Sequence, residues 1–555
     1  MVVHHTRRET SRPNTPSSSS RRRFLGRAGG AAIAAGLVTL PSLIGEATTA
    51  EASEGELAKG GARASRAYEI RHQAALFQKN LPAVAHPVNG DDELYTNRVS
   101  CYSKGLPHNA LGEVDRNAYA ALTNALASGN PMLFENVPCA GAAKQANPQA
   151  ALAFDLEGTD SHNLTMNAPP AFNSPEQAGE MVELYWQALT RDIPFAEYGT
   201  NPLTNAAAVE LSKLSDFRGS KTSRRVTTEL LFRGHSAGDL TGPYISQFLW
   251  KDVPQGAMTL VQRMRTAVPE LDFMTTFESW KAVQNGAETW KNQYDPQTRY
   301  IRSGRDLAEY LHQDFTYQAF LNACLILMGM NAPRDPANPY TNAKAQSGFC
   351  TFGAPHILDA VAKVANSALK AAWYQKWSVH RRLRPEEFGG RVHNHWNGSA
   401  SYAIHKDVLR SAALEATFRK YNSYLLPQAY PEGCPTHPAY PAGHAAVAGA
   451  CTTILKAFFN ESHVISDPVS ASADGLSLLP YKGERLTVGG ELDKLAANIS
   501  IGRGAAGVHW RSDSIEGLKL GEAVALGVLL DMKDCFNECF GGFSLTKFDG
   551  TTATV

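Results

Sequence analysis

Arg305-Asp-Leu-Ala-Glu-Tyr310-Leu-His-Gln-Asp-Phe315-Thr-Tyr-Gln-Ala-Phe320-Leu-Asn-Ala-Cys-Leu325-Ile-Leu327 is the stretch that decides the fold class. Leu307, Tyr310, Leu311, Phe315, Phe320, Leu321, Leu325 and Leu327 recur at helical spacing and share one broad apolar face, so the stretch predicts a long helix over 305–330. Working outward, residues 355–383 predict a second long helix ending before Pro385, because a proline cannot continue one. The same pattern returns over 402–418, 443–459, 489–500 and 511–533, and upstream over 176–191 and 115–128. Alternating strand-like patterns are scarce and no internal repeat is evident. The fold class is mainly α, built as packed helical bundles.

The 555 residues carry 53 basic and 53 acidic side chains, with 43% hydrophobic and 19% charged residues. That is the composition of a globular protein with a sizeable core. No basic excess points to nucleic acid. Residues 1–46 hold a surplus of arginine, which leaves the remainder mildly acidic. Ser20-Arg21-Arg22-Arg23-Phe24-Leu25, the weakly apolar stretch Ala28 to Ile44, and small residues ending at Ala50 or Ala52 follow the order of a twin-arginine export signal. The expected product is exported already folded, periplasmic or extracellular, with no membrane association once the signal is removed. The expected divisions are a signal over 1–52, a linker and irregular wrapping region over 53–170, a helical catalytic domain over 171–540 and a tail over 541–555. Eight cysteines include no C-x-x-C pair, which excludes the usual zinc and redox spacings. Cys535 and Cys539 are placed on one helical face, and no disulfide pairing is deduced.

Three segments carry chemistry. In Lys376-Trp-Ser-Val-His-Arg-Arg-Leu-Arg384-Pro385, Lys376, His380 and Arg384 are spaced by four and are expected along one helical face. A lysine and an arginine there can hold a tetrahedral anion, arginine through its fork and lysine as a point charge. In His437-Pro-Ala-Tyr-Pro441-Ala442-Gly443-His444, the chain bends just before a helix whose free N–H groups suit an anion, with His444 beside it as proton donor or acceptor. In Ser500-Ile-Gly-Arg503-Gly-Ala-Ala-Gly507-Val-His509-Trp-Arg-Ser-Asp513, Arg503 adds a guanidinium and the glycines admit close approach. His509 can bind a metal or attack phosphorus through one nitrogen, while Asp513 fixes its tautomer through the other. Together these residues predict a site for a tetrahedral oxyanion with a histidine on its axis.

These segments resemble the superfamily of vanadium haloperoxidases and type 2 phosphatidic acid phosphatases, and within it the algal and cyanobacterial bromoperoxidase branch. Leu231-Phe-Arg-Gly-His235, Gly242-Pro-Tyr-Ile-Ser-Gln-Phe248, Trp280 through Gly286, Arg299-Tyr-Ile-Arg302 and Tyr317 through Leu327 extend the resemblance over roughly residues 70–535. It implies an all-α fold and a vanadate cofactor. Lys376, Arg384 and Arg503 would neutralise vanadate oxygens, the Gly443 N–H would contribute, and His509, supported by Asp513, would supply the axial nitrogen to vanadium. His444 would be the acid–base group, and His437, with Gln375 nearby, would shape the halide site. The implied chemistry is Lewis-acid activation of hydrogen peroxide, attack by halide (bromide first, with iodide or chloride as alternatives) and release of a hypohalous species that halogenates an organic acceptor. By analogy the chain is expected to be a homo-oligomer.

Ala442 departs from the resemblance, which leads one to expect a serine that would donate a hydrogen bond to the oxyanion. Residues 336–349 have few carboxylates, which argues against a calcium site there. His393 and His395, in a Gly/Asn-rich stretch, read as a surface loop. Two other functions use the same residues. One is an acid phosphatase with His509 as nucleophile and His444 as acid. The other is an oxyanion-binding relative without catalysis.

Overall fold

The computed structural model describes residues 61–289 and 291–555. The export signal over 1–52 and the start of the linker therefore lie outside the described residues. The described residues fall into two units, divided after Val84. In the first, Gly61–Lys79 is a single helix with no buried residue. The second unit is mainly helical. Among the described residues its strands are three short antiparallel pairs, Val253–Gln255 with Met258–Leu260, Val469–Ala471 with Leu478–Pro480, and Ser544–Thr546 with Thr552–Thr554. No described helix is long and apolar enough to cross a membrane.

The centre of the unit is the helix Gly443–Phe458, packed most extensively against Arg511–Lys533, then against Ala354–Trp373 and Val488–Ile501. Every residue of Gly443–Phe458 except His444 is buried, as expected of a helix that is apolar all round. Glycines set how closely its main partner approaches. A Cβ on Gly521 would lie 1.9 Å from the Ala446 carbonyl oxygen, and one on Gly449 would lie 2.1 Å from that of Leu518. Either substitution would force these two backbones apart.

Helices Pro175–Thr190, Arg116–Ser128, Val488–Ile501 and Arg511–Lys533 follow the sequence pattern closely. Elsewhere the structure corrects it. The run over 305–330 is two helices, Gly304–Gln313 and Gln318–Gly329. Asp314 turns out of the first with ψ 148°, and Phe315 is 51% exposed, outside the core. A carboxylate is disfavoured at the negative end of a helix, and Asp314 leaves the helical path to meet His444. The run over 402–418 likewise splits into Lys406–Leu409 and Ala412–Tyr421, where the Ser411 side chain caps the second helix.

The run over 355–383 is helical to Trp373, continues as a π-turn over Tyr374–His380, and stops at Arg381 with φ +43°. Lys376, His380 and Arg384 therefore do not share a helical face. His393 and His395 are in a helix, Pro385–Trp396, and not in a loop. Its two glycines hid it from propensity. A Cβ on Gly390 would lie 2.0 Å from the Trp280 ring, so the glycine serves close packing. Cys535 and Cys539 lie beyond the helix that ends at Lys533, and all eight cysteines are free thiols.

Candidate active site

Each reactive side chain sits where a helix begins or has just ended. Lys376 comes from the π-turn that follows Trp373, a helical irregularity frequent at functional sites. Arg384 is the N-cap of Pro385–Trp396, with extended backbone. His437 lies in the coil before Gly443–Phe458, whose N-cap is Ala442. Arg503 lies in the 3-10 turn ending Val488–Ile501, and His509 directly precedes Arg511–Lys533.

The chain brings five of these residues into one buried pocket. Arg384 is its hub: Nε donates to the His437 carbonyl at 2.8 Å, Nη1 to the Val508 carbonyl at 2.8 Å and to His509 Nε2 at 2.9 Å, and Nη2 to His437 Nδ1 at 3.0 Å. Lys376 Nζ donates to the carbonyls of Pro438 and Ala439 at 2.6 and 2.8 Å. Arg503 donates to the Leu311 carbonyl at 2.7 Å and lies over the Tyr430 ring. Its Nε is buried without a partner.

A guanidinium only donates, so the histidine nitrogens facing Arg384 must be acceptors. For His509 this fixes the tautomer. Nδ1 carries the proton and donates to Asp513 Oδ2 at 2.8 Å, which leaves the Nε2 lone pair in the pocket. Asp513 is itself held by Arg382 at 2.8 Å. His437 Nδ1 also lies 3.2 Å from the neighbouring Pro438 carbonyl, but the shorter contact to Arg384 decides its role as acceptor.

Burial, followed by the charges of Arg384 and Lys376, holds His509 well below its ordinary pKa, and burial followed by Lys376 and Arg384 does the same to His437. Lys376 is likewise pushed far down, by burial first and Arg384 second. Both rings are therefore neutral bases at neutral pH. Among the described residues no carboxylate lies within ion-pairing distance of Lys376, Arg384 or Arg503.

Trp373 joins this pocket to Gly443, the residue before His444. Its ring lies 4.7 Å from the His437 ring and 5.9 Å from Lys376 Nζ, and a Cβ on Gly443 would meet it at 3.1 Å. His444 keeps 23% of its side chain exposed, and its Nε2 lies 3.1 Å from Asp314 Oδ1. Ala442 is fully buried within the main apolar cluster and makes no side-chain cap. His380 is not part of the pocket; it packs edge-on to Tyr440. Gln375 turns away, donating to the Leu164 carbonyl.

Sequence reasoning passed over Arg382, Trp373 and Asp314. Arg382 had a signal, since residues i and i+2 of an extended segment face the same side, and Arg382 and Arg384 grip opposite ends of the His509–Asp513 couple. Asp314 had none, and neither did the packing of Trp373 on His437 and Gly443, because those partners are remote in sequence.

A family model for the second helical-bundle domain of vanadium chloroperoxidase matches residues 356–538, the part of the chain that carries every pocket residue. The vanadium-dependent bromoperoxidase of Corallina pilulifera is 35% identical over 89% of this chain and 98% of its own length. That of Ascophyllum nodosum is 36% identical over 80% and 83%. The chain belongs to the vanadium-dependent bromoperoxidase family. A solved structure agrees: the second vanadate-dependent bromoperoxidase of Ascophyllum nodosum, a homohexamer, has 29% sequence identity, covers 94% of each chain and gives a TM-score of 0.84.

Proposed function

We propose that this enzyme uses vanadate to oxidise halide, bromide first, with hydrogen peroxide, giving a hypohalous species that halogenates an organic acceptor. The carrying observation is the pocket of three buried cations without a carboxylate, facing an unprotonated Nε2. Burying such charge is costly unless an anion joins it. The donor set fits vanadate: Lys376, Arg384 and Arg503 for its oxygens, the Gly443 N–H at the helix start, and His509 Nε2 for the metal. Bound there, vanadate supplies Lewis-acid activation of peroxide toward halide attack.

The chain's own groups do the rest. Asp513 and Arg382 fix the His509 ring, so its lone pair is aimed before the anion arrives. The three cations supply positive charge for the anion, and the hydrogen bond from Arg384 Nη1 to His509 Nε2 gives way to contacts with it. His444, part-exposed with its Nε2 3.1 Å from Asp314 Oδ1, moves protons for an incoming peroxide in this reading. His437 and Trp373 line the same pocket and shape halide entry. Purified protein should brominate a phenolic dye with bromide, peroxide and added vanadate, and lose that activity when vanadate is stripped. Phosphate release from an aryl phosphate, with no bromination, would overturn the reading.

Two further features belong to the same proposal. Arg21-Arg22-Arg23-Phe24-Leu25 supports twin-arginine export to the periplasm or exterior, which N-terminal sequencing of exported protein checks. The similarity to a homohexamer supports a homo-oligomer, which sedimentation checks.

A further inference from the structure

Arg503 reaches the anion pocket on a long side chain from a short 3-10 turn, Gly502–Gly504. After burial and the nearer cations, its charge is a further cause of the lowered pKa of both His437 and His509, which places it at their pocket. Its anchors come from elsewhere in the chain. Nη1 donates to the Leu311 carbonyl at 2.7 Å and to the Tyr430 hydroxyl at 3.3 Å, while Nε is buried without a partner. A side chain this long loses much rotamer freedom when it is fixed, so the groups that fix it decide how it meets an anion.

Tyr430 is the side chain among those anchors. It is buried, and its ring lies under the Arg503 guanidinium, whose Cζ is 5.5 Å from the ring centroid. Its hydroxyl has one proton, which goes to the Ala308 carbonyl at 2.6 Å, so toward Arg503 the oxygen acts as an acceptor. Burial pushes the phenol above its ordinary range against the Arg503 charge, and the proton stays in place. The ring is clamped in turn. His312 stacks on it with centroids 4.0 Å apart and planes 9° apart, and His312 Nε2 lies 2.5 Å from Glu432 Oε1. Burial disfavours charge on His312, but the Glu309 and Glu432 carboxylates outweigh it and push its pKa up to about 9. Ala308, Leu311 and His312 all belong to the helix Gly304–Gln313. That helix and the coil carrying Tyr430 and Glu432 together grip one end of the guanidinium.

We propose that Tyr430 is a positioning residue for the oxyanion: it fixes Nη1 of Arg503, so that the guanidinium offers its Nε edge to the anion. This rests on the reading of the pocket as an oxyanion site. A guanidinium is planar, so holding one terminal nitrogen and setting the plane against a ring also sets the direction of the Nε donor. Two cations of the pocket are then prepared differently. Arg384 Nη1 exchanges His509 Nε2 for the anion, whereas Arg503 Nε has no bond to give up. A donor already aimed costs no reorganisation when the anion arrives. In this role Tyr430 acts through Arg503 alone.

The test titrates the full-length apo protein with vanadate and, separately, with inorganic phosphate. Wild type, Tyr430→Phe, Arg503→Met and the double variant are compared. Tyr430→Phe keeps the ring and removes the hydroxyl. It should weaken binding of both anions about fivefold, which is ~1 kcal/mol. In the Arg503→Met background the same change should move affinity by less than about twofold, because a residue acting only through Arg503 has nothing left to act on. With vanadate at saturation, bromide oxidation by Tyr430→Phe should stay within about twofold of wild type, since a contact equally strong in ground and transition states alters affinity and not turnover. Equal weakening in both backgrounds, unchanged affinity in Tyr430→Phe, or a fivefold loss of saturated turnover overturns the proposal. Coupling seen with phosphate in a chain that binds no vanadate would sink the halide-oxidising reading and leave Tyr430 its role. Binding of neither anion would overturn both.

Discussion

Arg382 and Arg384 are two residues apart, both buried, and they meet opposite fates. Arg382 is paired with Asp513 at 2.8 Å and with Glu180 at 2.9 Å. Its surroundings repeat the pattern: Arg511 pairs with Glu183, and farther off Arg305 and Arg191 share Asp272. Among the described residues Arg384, Lys376 and Arg503 donate to carbonyls, a phenol hydroxyl and histidine nitrogens and to no carboxylate. One set is neutralised within the chain and so belongs to the fold. The other keeps its charge for something outside the chain and so belongs to the ligand.

Replacing each arginine with methionine tests that contrast most strongly. Arg382→Met leaves two buried carboxylates uncompensated and should cost ~3–5 kcal/mol of stability in urea unfolding. Arg384→Met loses hydrogen bonds but relieves cation repulsion, so apo stability should change by under ~1.5 kcal/mol while vanadate binding is lost. Equal destabilisation by both variants would break the contrast.

That contrast was only half legible in the sequence. The oxyanion residues stood out because motif spacing and helix starts are local features, and the helices around His444 and His509 were readable from period and apolarity. What sequence hid was non-local. Lys376 and Arg384 looked like one helical face, yet they meet through a π-turn and a reversal at Arg381. The helix Pro385–Trp396 was hidden by two glycines set by close packing, Gly390 against the Trp280 ring and Gly389 against the Leu426 backbone. Asp314 read as one residue in a continuous helix, whereas its position is set by a histidine 130 residues away.

His444 sharpens the contrast from the catalytic side, since it is joined to the pocket through Gly443 and Trp373 and not through Arg384. His444→Ala should retain vanadate but lose roughly a hundredfold in bromide oxidation, as expected for removal of an acid–base group. Near-wild-type turnover would reduce His444 to a structural role.

Acid should tell the two regions apart as well. His437 and His509 are held well below the ordinary histidine value of 6.5 by burial and the unpaired cations. Their contribution to apo stability is full above pH ~6.5 and is lost as pH falls toward their folded values, because the unfolded chain binds those protons more readily. Bound vanadate should flatten this fall, since an anion offsets the cations. Thermal melts of apo and vanadate-loaded protein between pH 7.5 and about 5 measure the difference; parallel curves would contradict it.

The smallest effect is at Ala442, a buried N-cap without a capping side chain. Ala442→Ser should tighten vanadate about tenfold if the hydroxyl donates to the anion, worth ~1.4 kcal/mol. It should instead raise stability by about 1 kcal/mol, with affinity unchanged, if the hydroxyl accepts from the helix N–H groups. Paired vanadate titration and urea unfolding separate the two outcomes.

The pocket's role as a vanadate site is tested most directly by equilibrium dialysis of the apo protein against vanadate, wild type beside a folded His509→Ala variant. The expected result is one vanadate per wild-type chain and none retained by His509→Ala. Tight stoichiometric binding by that variant, or none by the wild type, would contradict it.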